Sequence, residues 1–282
     1  MGDFVEWIGR EELRQDRVDP GLATRWLATL DRPAPSDGTV PQAIHWCLCT
    51  PDAQTGQLGL DGHPRRDDSP ESFLPVELPR RMWASSSVEF HTPLRMGEEV
   101  MRTSRVVSIK AKQGGSGSLV FVDVLHETRG IGGLAVSEVQ SIVYREAAPA
   151  GSPKVPAPLG DECFDPSEWS THRIMIPREP LLFRFSALTF NSHRIHYDLP
   201  YATGEEGYRG LVVHGPLTAT LLLDLAQREF GDNALKRFAF RGNSPAICGE
   251  ELHLVCKRVD DRIELAALAA DGRNVMSATG KI

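Results

Sequence analysis

The apolar run from Leu217 to Ala226 constrains this chain more than any other segment. Only three of its residues are polar: Thr218, Thr220 and Asp224. Pro216 precedes the run and suits a first helical position, because its fixed φ is already helical and its missing N–H has no partner to lose there. The leucines occupy every face of the predicted helix. A helix that is apolar all round must be covered on all sides, and we predict that a β-sheet covers it.

A polar segment rich in histidine leads into this helix. Its side chains include Asn191, His193, His196 and Asp198. The first N–H groups of a helix lack intrahelical partners and lie at the positive end of the helix dipole. Such an end can bind an oxyanion that develops during a reaction. The sequence therefore predicts a functional site at the helix start, with the backbone N–H of Gly215 as the candidate oxyanion donor.

Two short motifs carry a resemblance to a known family. Residues 185–202 read F-S-A-L-T-F-N-S-H-R-I-H-Y-D-L-P-Y-A. They resemble the hydration motif of the MaoC-like (R)-specific enoyl-CoA hydratases, with matches at Phe185, Leu188 to Thr189, His196 and Ala202. Residues 212–219, V-V-H-G-P-L-T-A, are similar to the start of the central helix in that family. The two motifs occur in the same order and with a similar gap.

The whole chain is similar to the double-hot-dog branch of this family. That branch includes itaconyl-CoA and mesaconyl-C4-CoA hydratases and mitochondrial-type 3-hydroxyacyl-thioester dehydratases. The resemblance implies an α+β fold, a tandem hot-dog in which each half is an antiparallel sheet wrapped around a central helix. It also implies a hydro-lyase that binds an acyl-CoA thioester and needs no cofactor beyond the CoA of its substrate. Because hot-dog domains pair through their sheets, we expect a homodimer.

One departure from the motif concerns the acid–base chemistry. Asn191 stands where the family has its acidic residue, and an amide cannot transfer a proton near neutral pH. The resemblance implies His196 as the catalytic base, since imidazole titrates near operating pH. Asn191 is then a holder of water or of the thioester carbonyl. The proton for Cα is either returned by His196 or supplied by another group. The nearest candidates in sequence are His193, Tyr197 and Asp198.

Several of these residues also have structural interpretations. Asn191 fits a turn as well as a site, and Asp198 is favoured as an N-cap over an acid. His196 could also be a structural histidine, although the motif favours catalysis. His214 is expected to be structural, beside the helix start. Close backbone packing could also explain the glycine at Gly215, and its N–H could still act in that case.

Metal and covalent chemistry are weakly supported. His193-x-x-His196 with Asp198 offers ligand types for a metal, but two histidines on a predicted loop are weak evidence, so we predict no metal. Covalent catalysis has no support, because the segment lacks cysteine and the chain lacks Gly-x-Ser-x-Gly.

The arginines near the motif indicate which class of acyl-CoA the protein binds. A second carboxylate on the acyl chain, as in itaconyl-CoA, needs an arginine in the pocket. Arg184 and Arg194 are the nearest, and Arg194 stands where simpler enoyl-CoA hydratases have proline. We therefore predict hydration of itaconyl-CoA or mesaconyl-C4-CoA to citramalyl-CoA. The other predicted substrate contacts are His193, Tyr197, Arg209 and Arg241.

Three other functions stay open. The chain could be a 3-hydroxyacyl-thioester dehydratase of fatty acid metabolism. It could be a hot-dog acyl-CoA thioesterase, although such enzymes use a carboxylate to activate water and Asn191 is an amide. It could also be a non-catalytic acyl-thioester binding subunit, because the family's acid is missing.

Charge and cysteine content narrow the class of protein. The 282 residues carry a net charge of -7, which argues against a nucleic-acid partner. The chain start has neither a basic region nor an apolar core, and no apolar run reaches membrane-spanning length, so we expect no signal peptide and no membrane contact. Five scattered cysteines are expected to be reduced in a cytoplasmic protein.

The element pattern predicts two similar halves. Residues 147–160 hold four prolines and predict an extended linker. It separates a degenerate N-terminal half, 1–146, from a catalytic half, 161–282. The pattern Pro-x-x-x-Gly-Glu-Glu, beginning at Pro93 and again at Pro245, precedes an alternating strand in each half and supports duplication.

The periodicities locate the elements of each half. The first half is predicted to hold a helix at 19–31 and strands at 86–90, 99–110, 119–128 and 133–145. The second is predicted to hold strands at 181–188, 234–241, 250–259, 262–270 and 274–281. Residues 51–79 predict a long loop of the kind that often binds a ligand. Its Arg65-Arg66 pair could contact phosphate, but a solvated run of charges is favoured. Residues 114–117 predict a hairpin tip.

Overall fold

The computed structural model describes residues 4–35, 37–65, 73–74, 78–114, 117–147, 149 and 151–282. The elements of the first half are β1 (Glu11–Arg17), α1 (Pro20–Thr29), β2 (Arg80–Phe90), β3 (Glu99–Gly114), β4 (Gly117–Gly130) and β5 (Gly133–Arg145). Those of the second half are β6 (Thr171–Met175), α2 (Glu179–Leu188), α3 (Leu199–Gly204), α4 (Gly215–Phe230), β7 (Arg237–Gly242), β8 (Leu252–Val259), β9 (Arg262–Ala269) and β10 (Asn274–Lys281).

The ten strands form one antiparallel sheet in the order β1-β3-β4-β5-β2-β7-β10-β9-β8-β6. Each strand of the first half has a counterpart five strands later, so both halves share one topology. The halves join where β2 pairs with β7, in a register running from Ser85 opposite Arg241 to Glu89 opposite Arg237. This is the tandem arrangement of antiparallel half-sheets that the sequence predicts.

The predicted internal repeat has a backbone basis. Gly97 has φ +87° and Gly249 has φ +85°, a region that glycine enters without steric cost. The two glycines stand just before β3 and β8, which are counterparts in the topology. The repeated motif is therefore the same turn used twice. The exact boundary between the halves stays a prediction.

Helix α4 is the centre of the second half. Every residue from Leu217 to Gln227 is buried, as the apolar pattern predicts. The helix packs against β7, β8, β9 and β10 of its own half and against β2 of the other. Its start therefore lies near the seam between the halves.

A buried carboxylate ties α4 to both halves. Asp224 is 2% exposed and accepts ion pairs from Arg228 at 2.7 Å, Arg173 of β6 at 3.1 Å and Arg32, just after α1, at 3.5 Å. A charge taken out of water is tolerated only when it is paired in this way. The pairing fixes the orientation of α4 about its axis.

One predicted element was wrong. Residues 181–188 were predicted to form a strand, but they lie in helix α2. The buried residues of that helix are Leu182, Phe185 and Leu188, and a spacing of three is a helical repeat. Pro180 at the helix start is equally helical in character. The first strand of this half is β6, which the sequence reasoning missed. Within the described residues, no helix is long and apolar enough to span a bilayer.

Candidate active site

Four histidine rings lie in a row from the 58–65 loop to the start of α4. Neighbouring ring centroids are 4.1 Å, 5.5 Å and 3.5 Å apart. We call this set the histidine row; its members, in order, are His63, His193, His196 and His214. Three of them come from the segment that the sequence singled out, and His63 comes from the first half of the chain.

His196 is held as a neutral base. Its Nδ1 donates to the carbonyl of Val212 at 2.7 Å, so the proton of the neutral ring is on Nδ1 and the lone pair is on Nε2. The ring is 8% exposed, and burial lowers the pKa of His196 to about 4. Its Nε2 makes no hydrogen bond within the described part of the chain. These features fit the predicted role of a general base.

His193 and Asn191 form the turn that precedes it. The Oδ1 of Asn191 accepts a hydrogen bond from the N–H of His193 at 3.0 Å, which is an Asx turn. Burial, with the charges of His63 and His196, lowers the pKa of His193 to about 2. His193 is therefore neutral at neutral pH. The role of Asn191 as a water or carbonyl holder stays a prediction.

His214 occupies the N-cap position of α4. It is 1% exposed, and its Nε2 pairs with Ser186 Oγ at 2.8 Å. Burial lowers its pKa well below the ordinary value. A Cβ added at Gly215 would meet only Trp83 O, at an ordinary 3.9 Å, so close packing does not require glycine there. The Gly215 N–H as an oxyanion donor stays a prediction.

The 58–65 loop docks directly on the histidine-rich segment. Arg194 N donates to Asp61 O at 2.9 Å, and Ser192 Oγ donates to Gly62 O at 2.6 Å. Gly62 has φ +87°, and a Cβ there would overlap the carbonyl oxygen of Ser192. Only glycine fits this contact. The loop is thus built against the histidine-rich segment. Its role in binding stays a prediction, and Arg66 of the candidate phosphate contact lies outside the described residues.

The docked loop carries an acid–histidine pair. His63 Nδ1 donates to Asp61 Oδ2 at 3.1 Å, and the His63 backbone N–H donates to Asp61 Oδ1 at 3.0 Å. Burial alone would raise the pKa of Asp61, but the hydrogen bonds and charge of His63 outweigh it and hold that pKa below its usual range. Asp61 is therefore ionised beside the ring. Sequence reasoning missed this pair, and Asp-Gly-His in a loop was its only signal.

Asp61 and His63 lie close to a third possible metal ligand, His193. Donor atoms of Asp61, His63 and His193 all lie within 4.8 Å of one another, a set that could hold a divalent cation. The metal set weighed from the sequence is different, because Asp198 accepts from Arg194 and caps α3 through the N–H of Tyr201. The N-cap interpretation of Asp198 is thus confirmed. The absence of a metal stays a prediction.

A small cavity places this cluster next to arginines of the first half. Its lining includes Asp61, His63, His193, Arg80, Arg81, Arg145, Glu206 and Tyr208. Arg80 is paired with Glu206. Arg81 makes no hydrogen bond or ion pair within the described residues, and the Arg145 Nε is buried without a partner among them. His196 lies one ring away, behind His193. The cavity therefore presents positive charge beside the histidine row.

The arginines chosen from the sequence are elsewhere. Arg194 pairs with Asp198 at 2.7 Å and lies over the Tyr201 ring, and Arg209 pairs with Glu250. Arg184 and Arg241 are exposed on α2 and β7. Tyr197 is 54% exposed, and its hydroxyl donates to Ser192 O at 3.1 Å. None of these five lines the cavity among the described residues. Their roles stay predictions, whereas the Arg80-Arg81 pair went unnoticed.

Comparisons with known proteins agree with this architecture. A family model described as hydroxyacyl-thioester dehydratase type 2 matches residues 42–248. The mesaconyl-C(4)-CoA hydratase of Chloroflexus aurantiacus is 43% identical over 281 residues, covering 98% of this chain and 97% of the relative.

Two solved structures are similar in fold. A MaoC-like dehydratase from Phytophthora capsici is 13% identical, with a TM-score of 0.68, covering 97% of this chain and 95% of that one. A Mycobacterium tuberculosis protein described as having a double hotdog fold is also 13% identical, with a TM-score of 0.57 and coverage of 97% and 96%. The predicted double hot-dog fold is confirmed.

Proposed function

Since the chain belongs to the hydroxyacyl-thioester dehydratase type 2 family, we propose that it adds water across the C=C bond of an α,β-unsaturated acyl-CoA that carries a second carboxylate. Mesaconyl-C4-CoA, hydrated to citramalyl-CoA, is the first candidate, because the relative at 43% identity bears that activity in its name. Itaconyl-CoA, which gives the same citramalyl-CoA product, is the second candidate, but its C=C bond lies between Cβ and the terminal methylene and is not conjugated with the thioester.

An arginine that lines the cavity, Arg81, carries this proposal. Arg81 is half-buried, lacks an acidic partner within the described residues, and lines the cavity with His193. Its charge acts on His193, behind the larger effects of burial and of the neighbouring histidines. In mesaconyl-C4-CoA the free carboxylate is bonded to Cβ, so an arginine close to the reacting carbons is where that group needs one. Arg81 thus replaces Arg194 as the carboxylate ligand in this proposal.

The chemistry divides into three parts. His196 Nε2 takes a proton from water as the water oxygen bonds to Cβ. The π electrons move toward Cα and the thioester oxygen, where the N–H of Gly215 at the positive end of α4 would stabilise the enolate charge. A proton then reaches Cα. The neutral, oriented ring of His196 suits the first part, because its Nδ1 proton is committed to Val212.

The test is turnover of crotonyl-, itaconyl- and mesaconyl-C4-CoA by the wild-type protein and by His196→Ala. His91→Ala is the matched control, since His91 is exposed and its side chain bonds only Ser137 among the described residues. Mass spectrometry separates addition of water from release of free acid and CoA. The proposal is supported if the wild-type protein adds water to a dicarboxylic substrate, His196→Ala does not, and His91→Ala still does. Hydrolysis would make the protein a thioesterase, and binding without turnover would make it a binding subunit.

The family description supports a second candidate direction. Hydration and dehydration share one transition state, so the same site could dehydrate a 3-hydroxyacyl thioester. An assay that starts from simple 3-hydroxyacyl-CoAs distinguishes the two candidate functions. Only a substrate with a second carboxylate would be bound more tightly through Arg81.

The oligomeric state and the cellular location are also proposals. We keep the homodimer as a proposal, supported by β1 and β6, which form the two ends of the sheet and each pair with one strand only in the described chain. Light scattering tests it. The cytoplasmic location stays a prediction.

A further inference from the structure

The hydration site lacks the acid that should protonate Cα, because Asn191 stands at that position. We propose that His63, in the docked loop of the first half, is the general acid, with Asp61 as the residue that positions it. This inference rests on the proposed function, since it assigns a residue of the same reaction. It places one catalytic group in each half of the chain.

The geometry brings His63 to the reacting region. Its ring stacks at 4.1 Å from His193, and both rings line the cavity that also holds Arg81. A carboxylate bound by Arg81 would bring Cβ, to which it is bonded, into the cavity that His63 and His193 line. His63 is 17% exposed at its side chain, so the cavity reaches it.

The loop backbone fixes this position. Arg194 N and Ser192 Oγ donate to two successive carbonyls of the loop, those of Asp61 and Gly62. The side chain of Arg194 also donates to Leu60 O at 2.9 Å. Three hydrogen bonds and the close approach at Gly62 hold His63 against the second half. A catalytic group needs this degree of fixation, because small displacements lower the rate steeply.

Two histidines in different surroundings can serve as acid and base. His63 donates its Nδ1 proton to a carboxylate, which stabilises the imidazolium form. His196 donates its Nδ1 proton to a neutral carbonyl in a buried place, which keeps its ring neutral. Environments that separate two titratable groups in this way identify an acid and a base.

The reaction is balanced in protons without any further reactant. His196 Nε2 takes one proton from water while oxygen bonds to Cβ, and His63 Nε2 gives one proton to Cα as the C=C π bond is lost. The enzyme is left with a charged His196 and a neutral His63. Transfer of one proton from His196 to His63, through solvent or along the row, restores the starting state.

The primary test is His63→Gln, with His91→Gln as the matched control. We expect kcat for hydration to fall by roughly 100-fold or more, the usual contribution of a general acid, with acyl-CoA affinity by calorimetry unchanged. In the reverse direction His63 takes the Cα proton, so exchange of the Cα hydrogens of the product with D2O, followed by NMR, should fall at least as far. Wild-type kcat or wild-type exchange in His63→Gln would overturn the proposal.

Asp61→Asn tests the positioning role separately. Without the carboxylate, Nδ1 of His63 loses the acceptor that orients its ring toward the cavity, so kcat for hydration should fall while KM for the acyl-CoA stays unchanged. The titratable and charged groups that line the cavity with His63 include His193, Arg80, Arg81, Arg145 and Glu206, and none of them changes in this variant. Asp123→Asn, whose carboxylate binds only Ser141 among the described residues, is the control. Wild-type kcat in Asp61→Asn contradicts the role of Asp61, and this arm remains decisive if His63→Gln fails to fold.

The outcomes separate the two proposals. Absence of turnover by the wild-type protein across the panel defeats the proposed function, and the acid role with it. Turnover by the wild type that His63→Gln retains defeats the acid role alone. Activity lost to EDTA and restored by Zn²⁺ would also overturn it, because a histidine ligated to zinc cannot donate the proton to Cα.

Discussion

The two halves of this molecule share a strand order but differ in where they place their chemistry. The second half puts His193, His196 and His214 in the segment before its central helix. The first half has a shorter helix, α1, with three buried residues, and carries its polar groups after that helix, in the 58–65 loop and at the start of β2. A duplicated fold can thus keep one scaffold while its copies supply different parts of one site.

The first half contributes residues to the cavity beside the candidate active site. Sequence reasoning expected a degenerate first half and a catalytic second half, and that division stays a prediction. The position of Asp61, His63 and Arg81 on the cavity favours a shared site instead. Four substitutions probe the comparison.

The largest effect is expected from Gly62→Ala. A side chain at residue 62 overlaps the carbonyl of Ser192, so the loop must lift from the second half and remove His63 from the cavity. We expect kcat to fall by roughly 100-fold or more, the loss of a general acid. Gly56→Ala is the control in the same loop region, because a Cβ there meets nothing within 4 Å. Equal kinetics in the two variants would show that docking is unimportant.

Arg81→Gln should act on substrate choice. Loss of a charge-assisted hydrogen bond of about 1.5–3 kcal/mol should raise KM for mesaconyl-C4-CoA roughly 10- to 100-fold. Crotonyl-CoA has no second carboxylate, so its KM should not change. Arg105→Gln is the control, since that arginine is exposed and paired with Glu11. An equal change for both substrates would remove Arg81 from the specificity argument.

The buried histidines predict a pH dependence of stability. The folded-state pKa of His196 is lowered to about 4, whereas the unfolded value is about 6.5. Between these two pH values His196 is protonated in the unfolded chain but not in the folded protein. The free energy of unfolding therefore falls as the pH falls. The slope is up to about 1.4 kcal/mol per pH unit for one histidine. Urea unfolding of His196→Gln from pH 7 to pH 4.5 should show a slope shallower by that amount, and His91→Gln should not. Parallel slopes in all three proteins would contradict the neutral assignment.

The smallest effect is expected from Arg194→Gln. This arginine is partly exposed and pairs with Asp198, and such pairs contribute about 0–1 kcal/mol. We expect KM for mesaconyl-C4-CoA to change less than about fivefold, through slight loosening of the loop. A selective rise in KM for dicarboxylic substrates would restore Arg194 as the carboxylate ligand and displace Arg81.

Local patterns predicted much of this structure. Helix α4 follows from its apolar surface and Pro216, and the long strands follow from alternation. His196 follows from the motif, and the repeated turn follows from Gly97 and Gly249. Each of these depends on residues close together in the chain.

The remainder depends on contacts between distant residues. His63 and His193 are 130 positions apart, and nothing in either segment specifies the other. The loop was predicted only as polar and binding, because its docking rests on a backbone approach at Gly62. Helix α2 was mistaken for a strand because a short apolar run fits both periods when its burial is unknown.

The shared sheet has a consequence for how such a site is assembled. The strands at the seam, β2 and β7, are counterparts in the two halves, so separate halves could also pair like with like. Such pairs would hold two copies of one catalytic group and none of the other. Joining both halves in one chain fixes their ratio at one to one and makes every seam an unlike pair. Covalent fusion therefore allows the two copies to specialise, because neither can be diluted away from the other or inherited without it.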